Sequence, residues 1–327
     1  MKRSTESATT YHDQQAWREL QQFLPERLRL VSEYDLPTEE FWEWNGNDIH
    51  LDRYPNPDAP AKVILHHGVG TNGRQMNLIL GKPLADRGWE VTALDNLGYG
   101  MTRVNQEETF GYADWVQMAT DYLVHEKSRD DRPIVLYGLS AGGMLTYHVA
   151  AHAPRGTLAG IVGLTFLDQR HKEVWMATAH DKFAATIATK AIEALARSPL
   201  HGVEYPMAWA SRMSALCNSA DAMKVFLADK TSAGNVASMR FLDDYHTYTP
   251  DIEPADFDVC PILHTQPAED HWTPLELSKP VLDPITKVPV RLVMLENAGH
   301  YPLEEPGLTQ MEESIDGFVR EVTGTKP

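Results

Sequence analysis

From residue 62 onwards, short apolar runs alternate with longer amphipathic stretches, and this alternation constrains the fold more than any other feature of the chain. Such apolar runs are typical of strands buried on both faces, and the stretches between them are typical of helices that cover a parallel sheet. We therefore predict an α/β fold with a mostly parallel central sheet and helices on both of its faces. The predicted strands are 62–66, 90–94, 133–137, 158–166, 260–265 and 290–296, and the predicted helices lie near 74–87, 111–127, 141–153, 272–280 and 307–322.

The first 60 residues depart from this alternation. Trp17, Leu20 and Leu24 recur at helical spacing within residues 13–24, which predicts a short helix with one buried stripe. Residues 27–54 then place β-favouring side chains on both sides of the turn sequence Asn45-Gly46-Asn47-Asp48. This pattern predicts two antiparallel strands joined by a hairpin.

A second departure lies between residues 168 and 256, where helical patterning continues without a convincing buried strand. We predict that this segment is a helical cap, inserted into a core formed by residues 1–167 and 257–327. Its large apolar side chains would either line a pocket or pack the cap on the core, and the sequence leaves both alternatives open. These side chains are Trp175, Phe183, Trp209, Met213 and Phe226.

Charge and composition exclude several classes of function. With 29 basic and 46 acidic residues, the net charge of -17 repels the phosphates of nucleic acids, so we expect no nucleic-acid partner. No apolar segment is long enough to span a bilayer, and none follows the basic residues at the amino terminus, so we expect a cytoplasmic protein. The two cysteines, Cys217 and Cys260, are too few for a disulfide scaffold and are predicted to be buried thiols.

The sequence Gly138-Leu139-Ser140-Ala141-Gly142 follows a predicted strand and opens a predicted helix. This context is typical of a nucleophile elbow, a sharp turn that exposes a serine hydroxyl at the edge of a sheet. Glycine is needed on both sides of the serine because the turn leaves no room for neighbouring side chains. Ser140 is therefore the predicted nucleophile, with Gly138 and Gly142 as the glycines that permit the turn.

A serine hydroxyl needs a base to remove its proton. Of the 14 histidines, His300 is the best placed, because it follows the last predicted strand in a loop at the carboxyl end of the sheet. Gly299 would let this loop pass close to the serine. We predict that His300 is the general base.

The carboxylate that orients the histidine is expected between serine and histidine in the chain, after another strand. Asp270 meets this condition, and Glu269 beside it is a possible substitute. Asp168, at the end of the preceding predicted strand, is the alternative acid. The residues after Asp270 predict a helix start, with Thr273 as its cap and Pro274 at its first position.

Negative charge on a carbonyl oxygen during acyl transfer calls for two main-chain N–H donors. The residue after the nucleophile, Ala141, supplies one, and the loop after the first parallel strand supplies the other. In that loop Gly68 permits close approach and Val69 is the predicted second donor. Its histidines, His66 and His67, are expected to be structural and not metal ligands, because no cysteine or carboxylate partner is near them.

Taken in order, these motifs resemble those of the α/β-hydrolase superfamily, and more narrowly its capped serine esterases, lipases and lactonases. The resemblance covers residues 62–167 and 257–323, including the loop His67-Gly68-Val69, the turn from Asp95 to Gly100, the elbow, the acid loop and Gly299-His300. Serine at the elbow separates the chain from the haloalkane dehalogenases and epoxide hydrolases, which resemble it but carry aspartate there. The loop also lacks the consecutive glycines of the HGGG esterases.

This resemblance implies hydrolysis of a small to medium, apolar carboxylic ester or lactone through a covalent acyl-enzyme, with neither a metal nor an organic cofactor. Relatives with the same residues hydrolyse amides or carbon–carbon bonds, transfer acyl groups or catalyse cofactor-free oxygenation. A ligand-binding protein that has lost turnover is the remaining alternative. Acyl chain length and oligomeric state are not determined by these patterns.

Overall fold

The computed structural model describes residues 10–179 and 190–326 of the chain, and it contains one eight-stranded sheet as its centre. Its strands are β1 (Thr38–Trp44), β2 (Asn47–Tyr54), β3 (Lys62–His66), β4 (Glu90–Leu94), β5 (Ile134–Gly138), β6 (Gly160–Gly163), β9 (Ile262–Pro267) and β10 (Val290–Leu295). They follow the spatial order β1-β2-β4-β3-β5-β6-β9-β10. Within this sheet all neighbours from β4 to β10 are parallel, and only β1–β2 and β2–β4 are antiparallel. The predicted α/β fold is confirmed.

The amino-terminal hairpin is present but shorter than predicted. Asn45 and Gly46 connect β1 and β2 with φ angles of 49° and 75°, the combination that a two-residue hairpin turn requires. The predicted strand from residue 27 is wrong, because single 3₁₀ turns occupy 26–28 and 33–35. Asp35 accepts hydrogen bonds from the amide and hydroxyl of Ser32, and such local bonds compete with strand pairing.

Most of the predicted helices are present at the predicted places. The helix predicted at 74–87 forms, but it contains a π-helical turn at 77–81. The helices outside the region between β6 and β9 are α1 (Ala16–Leu20), α2 (Gly73–Met76), α3 (Lys82–Asp86), α4 (Tyr112–Arg129), α5 (Ala141–His152), α10 (Lys279–Leu282) and α11 (Gly307–Thr323). Trp17, Leu20 and Leu24 are buried as predicted.

The helix predicted at 272–280 is wrong, since only the 3₁₀ turn 275–277 and the four-residue α10 form there. Thr273 does not cap a helix. Its amide and hydroxyl both donate to the carboxylate of Asp270, and Pro274 has an extended backbone with ψ of 159°. The Thr273 hydroxyl is therefore engaged with Asp270 and His300 in the loop, and no α-helix begins at Pro274.

Between β6 and β9 the described chain forms short helices and one small two-stranded sheet. The elements are α6 (Lys172–Thr178), a helical segment at 190–196, β7 (Glu204–Pro206), α7 (Met207–Ala210), α8 (Ala220–Ala228), β8 (Val236–Ser238) and α9 (Met239–Thr247). The antiparallel pair β7–β8 was not predicted, because strands of three residues are too short to show a periodic pattern. We call residues 168–256 the cap region. Phe183 lies outside the described residues.

Hydrogen bonds and apolar contacts help to attach the cap region to the rest of the fold. The side-chain amides of Gln14 and Asn72 donate to Thr231 Oγ1 over 2.6 and 3.0 Å, and the main-chain amide of Gly100 donates to Thr231 O. Buried apolar side chains are continuous from the sheet into the cap region.

Both cysteines are buried free thiols, as predicted. None of the helices in the described ranges is long and apolar enough to cross a membrane.

Candidate active site

Ser140 occupies a sharp turn between β5 and α5. Its φ and ψ angles are 57° and -122°, and it is one of three non-glycine residues with positive φ in the described chain. Such a backbone costs free energy and is kept only where the surroundings enforce it. Here Gly138 and Gly142 permit the close packing that holds the turn, because a Cβ atom on Gly138 would overlap the carbonyl of Gly142 and one on Gly142 would lie 2.5 Å from His66 O.

The loop after β3 packs directly against this turn. A Cβ atom on Gly68 would lie 2.6 Å from Leu139 O and 2.8 Å from Ser140 Cβ, so only glycine allows the approach. The main-chain amide of Val69 makes no hydrogen bond within the described residues. The amide of Ala141 lies in the first turn of α5, where N–H groups lack an intrahelical acceptor. Two unused donors are thus held on either side of Ser140.

His67 holds this loop in place. The hydrogen-bond pattern assigns its proton to Nδ1, which donates to Gly68 O over 2.8 Å, while Nε2 accepts from the amide of Asn96 over 2.9 Å. Burial lowers the pKa of His67 and lowers that of His66 to about 3, so both rings are neutral at pH 7. This arrangement agrees with the structural role expected for the two histidines.

Asp270 and His300 lie beside each other at the ends of β9 and β10. His300 Nδ1 is 2.8 Å from Asp270 Oδ2, and both side chains are buried. The main chains of the two loops are joined as well, because the amide of Glu269 donates to Ala298 O over 2.9 Å. The structure therefore brings together the histidine and the acid that the sequence placed about 30 residues apart.

The carboxylate of Asp270 is held in its ionised form. Burial alone would raise its pKa, but the charge of His300, the hydrogen bond to that ring and the donors of Thr273 lower the pKa below its usual value. Oδ1 accepts from the amides of Trp272 and Thr273 over 2.8 and 2.7 Å. Asp270 is therefore a fixed negative charge on the Nδ1 side of His300.

The two alternative acids are engaged elsewhere. Asp168 accepts hydrogen bonds from the guanidinium of Arg170, with Nη2 at 2.7 Å from Oδ2, and it makes no contact with His300. Glu269 is exposed and lies 3.6 Å from His271. Neither carboxylate is placed to orient His300.

Ser140 and His300 are not hydrogen-bonded to each other in this structure. His300 Nε2 is buried and has no hydrogen-bond partner within the described ranges. The Trp272 ring lies beside the His300 ring, tilted by 47° with 4.8 Å between ring centroids, and Trp272 lines the same cavity as Ser140. Catalytic hydrogen bonds are often long or poorly aligned without a substrate, so this geometry leaves the pair available for catalysis.

A cavity of about 750 Å³ opens beside Ser140, within the range of roughly 300 to 1,000 Å³ found for ligand pockets. Its wall comes mostly from the cap region and is mostly apolar. The apolar lining residues include Val69, Leu167, Trp175, Ile192, Leu195, Met207, Trp209, Ala210, Met239, Leu242 and Trp272, and the polar ones include Gln169, Thr178, Asp243, Tyr245 and His246.

The large apolar side chains of the cap region divide between the two alternatives that the sequence left open. Trp175 and Trp209 line the cavity. Met213 instead packs on Gly70, since a Cβ atom on Gly70 would overlap the sulfur of Met213. Phe226 packs on Tyr301, with ring centroids 5.0 Å apart. Some of these side chains therefore shape a pocket, and others attach the cap region.

One group of described residues has the arrangement of a metal site, away from this cavity. Ligand atoms of Glu39, His50 and Asp52 all lie within 4.8 Å of one another. Arg74 already donates to Asp52 Oδ2 over 2.5 Å, and His50 lies 2.9 Å from Asp95. These acids are thus neutralised by side chains of the protein itself.

Sequence patterns missed two contributions to the site. The hydroxyl of Thr273 lies between Asp270 and His300, and the pattern at this position indicated only a helix cap. Leu216 O accepts from the amide of Tyr301 over 2.7 Å, and Asn218 Nδ2 donates to Glu269 O over 3.1 Å. The cap region therefore contacts both loops, and no local signal could have revealed such long-range pairing.

Comparisons with known proteins agree with the fold. A family model described as the alpha/beta hydrolase family matches residues 63–309. No curated protein matches the chain at a significant level.

Solved structures with a similar fold include two lipases. A soluble variant of monoglyceride lipase from Saccharomyces cerevisiae, in complex with a substrate analog, has a TM-score of 0.71 at 14% identity and covers 91% of this chain and 99% of its own. Monoacylglycerol lipase from Paleococcus ferrophilus has a TM-score of 0.61 at 16% identity, covering 85% and 99%. A bromoperoxidase from Bacillus anthracis gives 0.62 at 15% identity, covering 86% and 100%. At these identities the likeness shows the fold alone.

Proposed function

Because the chain belongs to the α/β-hydrolase family, we propose that it is a serine hydrolase that cleaves a carboxylic ester or lactone through a covalent acyl-enzyme. The observation that carries this proposal is the buried hydrogen bond between Asp270 and His300, beside a cavity that Ser140 lines. A buried acid–histidine pair next to a serine in a strained turn is what nucleophilic catalysis by a hydroxyl requires.

In the proposed reaction, Ser140 Oγ attacks the ester carbonyl while His300 Nε2 accepts the hydroxyl proton. The ionised carboxylate of Asp270 stabilises the imidazolium that forms. The carbonyl oxygen becomes negatively charged and is bound by the amides of Val69 and Ala141. His300 then gives its proton to the leaving alcohol, and a water molecule, deprotonated by the same histidine, hydrolyses the acyl-enzyme.

The cavity supports an apolar substrate of small to medium size. Its wall is mostly apolar, and Trp175 and Trp209 contribute large aromatic surfaces to it. We propose that residues 168–256 act as a cap that selects the substrate. Two proteins of similar fold are a monoglyceride lipase and a monoacylglycerol lipase by name. The apolar wall beside Ser140 favours an apolar group in the substrate of this chain on independent grounds.

The proposal is tested with the wild type and Ser140→Ala on short and medium p-nitrophenyl esters, several lactones and matched amides, together with labelling by a fluorophosphonate. We expect ester or lactone turnover and labelling in the wild type, and a fall in turnover of about 10⁴-fold or more with loss of labelling in the variant. Folding of the variant is checked by circular dichroism.

Other outcomes distinguish the alternatives. Turnover of amides alone, or labelling without turnover of any ester or lactone, would move the reaction to another class that uses the same residues. A folded Ser140→Ala variant with wild-type turnover would contradict the proposal. Absence of both labelling and turnover in the wild type would favour a ligand-binding protein.

A further inference from the structure

The hydroxyl of Thr273 lies at one corner of a triangle of buried polar atoms. Thr273 Oγ1 donates to Asp270 Oδ2 over 2.7 Å and lies 2.9 Å from His300 Nδ1, while His300 Nδ1 lies 2.8 Å from Asp270 Oδ2. Thr273 is only 1% exposed. Its main-chain amide donates to the other oxygen of the same carboxylate, Oδ1, over 2.7 Å.

The directions of these hydrogen bonds follow from the atoms involved. An ionised carboxylate only accepts, so the 2.8 Å contact between Asp270 Oδ2 and His300 Nδ1 requires a proton on Nδ1. Thr273 Oγ1 can then only accept from this Nδ1–H group, and its own hydroxyl proton points to Asp270. The Nδ1–H group is shared by two acceptors, and Nε2 is left as the basic nitrogen.

We propose that Thr273 is a positioning residue, whose hydroxyl holds Asp270 and His300 in the orientation and tautomer in which Nε2 serves as the base. This inference rests on the proposed function, since it concerns the same acid and histidine. When His300 becomes an imidazolium, the second acceptor on Nδ1 keeps the ring from turning away from Ser140.

A purely structural role for Thr273 would be to hold the loop after β9. The main chain already does this, because the amides of Trp272 and Thr273 both bind Asp270 Oδ1 without the hydroxyl. Thr273→Val replaces the hydroxyl by a methyl group of similar size and leaves both amides in place. Thr273→Ser restores a hydroxyl at the same position.

The kinetic test compares these two variants. We expect Thr273→Val to lower kcat about 10- to 100-fold with KM within about twofold of the wild type, as found when partners that orient a reacting group are removed. Thr273→Ser should recover most of the lost kcat. If the valine variant does not fold, Thr273→Ala against Thr273→Ser gives the same contrast.

The spectroscopic test uses the low-field proton NMR signal of the Nδ1–H group, assigned by its loss in His300→Gln. We expect Thr273→Val to shift this signal and speed its exchange with water, and Thr273→Ser to restore it. Thr120→Val is the matched control, because Thr120 is also buried and donates to Val116 O within α4. It should leave kcat and the signal unchanged.

The outcomes separate this inference from the proposed function. If Ser140→Ala is inactive but Thr273→Val keeps the wild-type kcat and signal, the role of Thr273 is overturned and the function stands. If Thr273→Val loses kcat but Thr273→Ser does not regain it, the effect is one of packing and the inference is again overturned. If folded Ser140→Ala stays active, the proposed function fails, and the role of Thr273 in it fails too.

Discussion

The loops around Ser140 and His300 depend on close approaches between backbone segments. The cavity wall beside them is formed by side chains, most of them in the cap region. Gly68, Gly138 and Gly142 allow backbone approaches that no side chain could share. On the cavity side, α9 turns Met239, Leu242, Asp243 and His246 towards the wall, and these positions require no unusual backbone. None of these four residues has a positive φ, so the backbone of α9 does not restrict the side chain at these positions.

This difference teaches where each property of the molecule is encoded. A position where two backbone segments approach closely tolerates few side chains, so the proposed chemistry depends on a small number of residues such as Gly68, Gly138 and Gly142. A wall of side chains can change by single substitutions, so substrate choice is open to variation. Changes in the loops should therefore lower turnover of all substrates, and changes in the cap region should discriminate among them.

The largest expected effect is at Asp270. In Asp270→Asn the side-chain amide would donate to Nδ1 and force the histidine proton onto Nε2, the wrong tautomer, which costs about 10⁴-fold in kcat in well-studied triads. Steady-state kinetics on the best ester provides the measurement. The matched control is Asp168→Asn, which breaks the bonds to Arg170 and should alter thermal stability but not kcat. Equal losses in the two variants would contradict the assignment of the acid.

The next effect concerns stability of the core and its dependence on pH. Burial opposes protonation of His50, but the adjacent carboxylates of Asp95 and Asp52 and the hydrogen bond to Glu39 outweigh burial and raise its pKa to about 10. Because the folded pKa lies above the ordinary value of 6.5, this stabilisation is complete below about pH 6.5 and is lost as pH rises through about 10.

We therefore expect His50→Gln to lower the free energy of unfolding by about 3 kcal/mol at pH 6, since it removes a positive charge from among the buried carboxylates of Asp52 and Asp95. The difference from the wild type should shrink steadily towards pH 10. Urea unfolding at several pH values measures it. The exposed His271, which lies 3.6 Å from Glu269, provides the control in His271→Gln. A difference that grows with pH would show that His50 is neutral in the folded protein.

The smallest expected effect on rate is in the cap region, where a substitution should affect esters of long and short acyl chains to different extents. Ala210→Trp adds volume to the cavity wall and should lower kcat/KM for octanoyl esters at least about tenfold, while acetyl esters stay within about threefold. Ala220→Trp, at an exposed position of α8, is the control. A uniform loss across chain lengths would break the comparison, because it would mean that the cavity wall at Ala210 also determines the position of the loops of Ser140 and His300.

Local patterns were sufficient wherever a structural requirement lies within a few neighbouring residues. The strands of the parallel sheet lie within a few residues of their predicted positions, and the turn at Asn45 and Gly46 needs only those two residues. Local patterns were insufficient at 272–280, where the residues favour the start of a helix locally but the predicted helix does not form. There the hydroxyl of Thr273, expected to accept from the amides of a following helix, instead donates to Asp270, and the backbone is extended at Pro274.

By itself, the sequence determined the α/β fold, the turn that holds Ser140 and the loops that carry Asp270 and His300, because each depends on short-range steric rules for glycine and on the period of apolar residues. Only the tertiary structure decided that Asp270 and not Asp168 meets His300, that Thr273 joins them, and that Trp175 lines a cavity while Phe226 packs on Tyr301. These contacts join residues far apart in the chain, and the distance between them is set by how the sheet and the cap region pack.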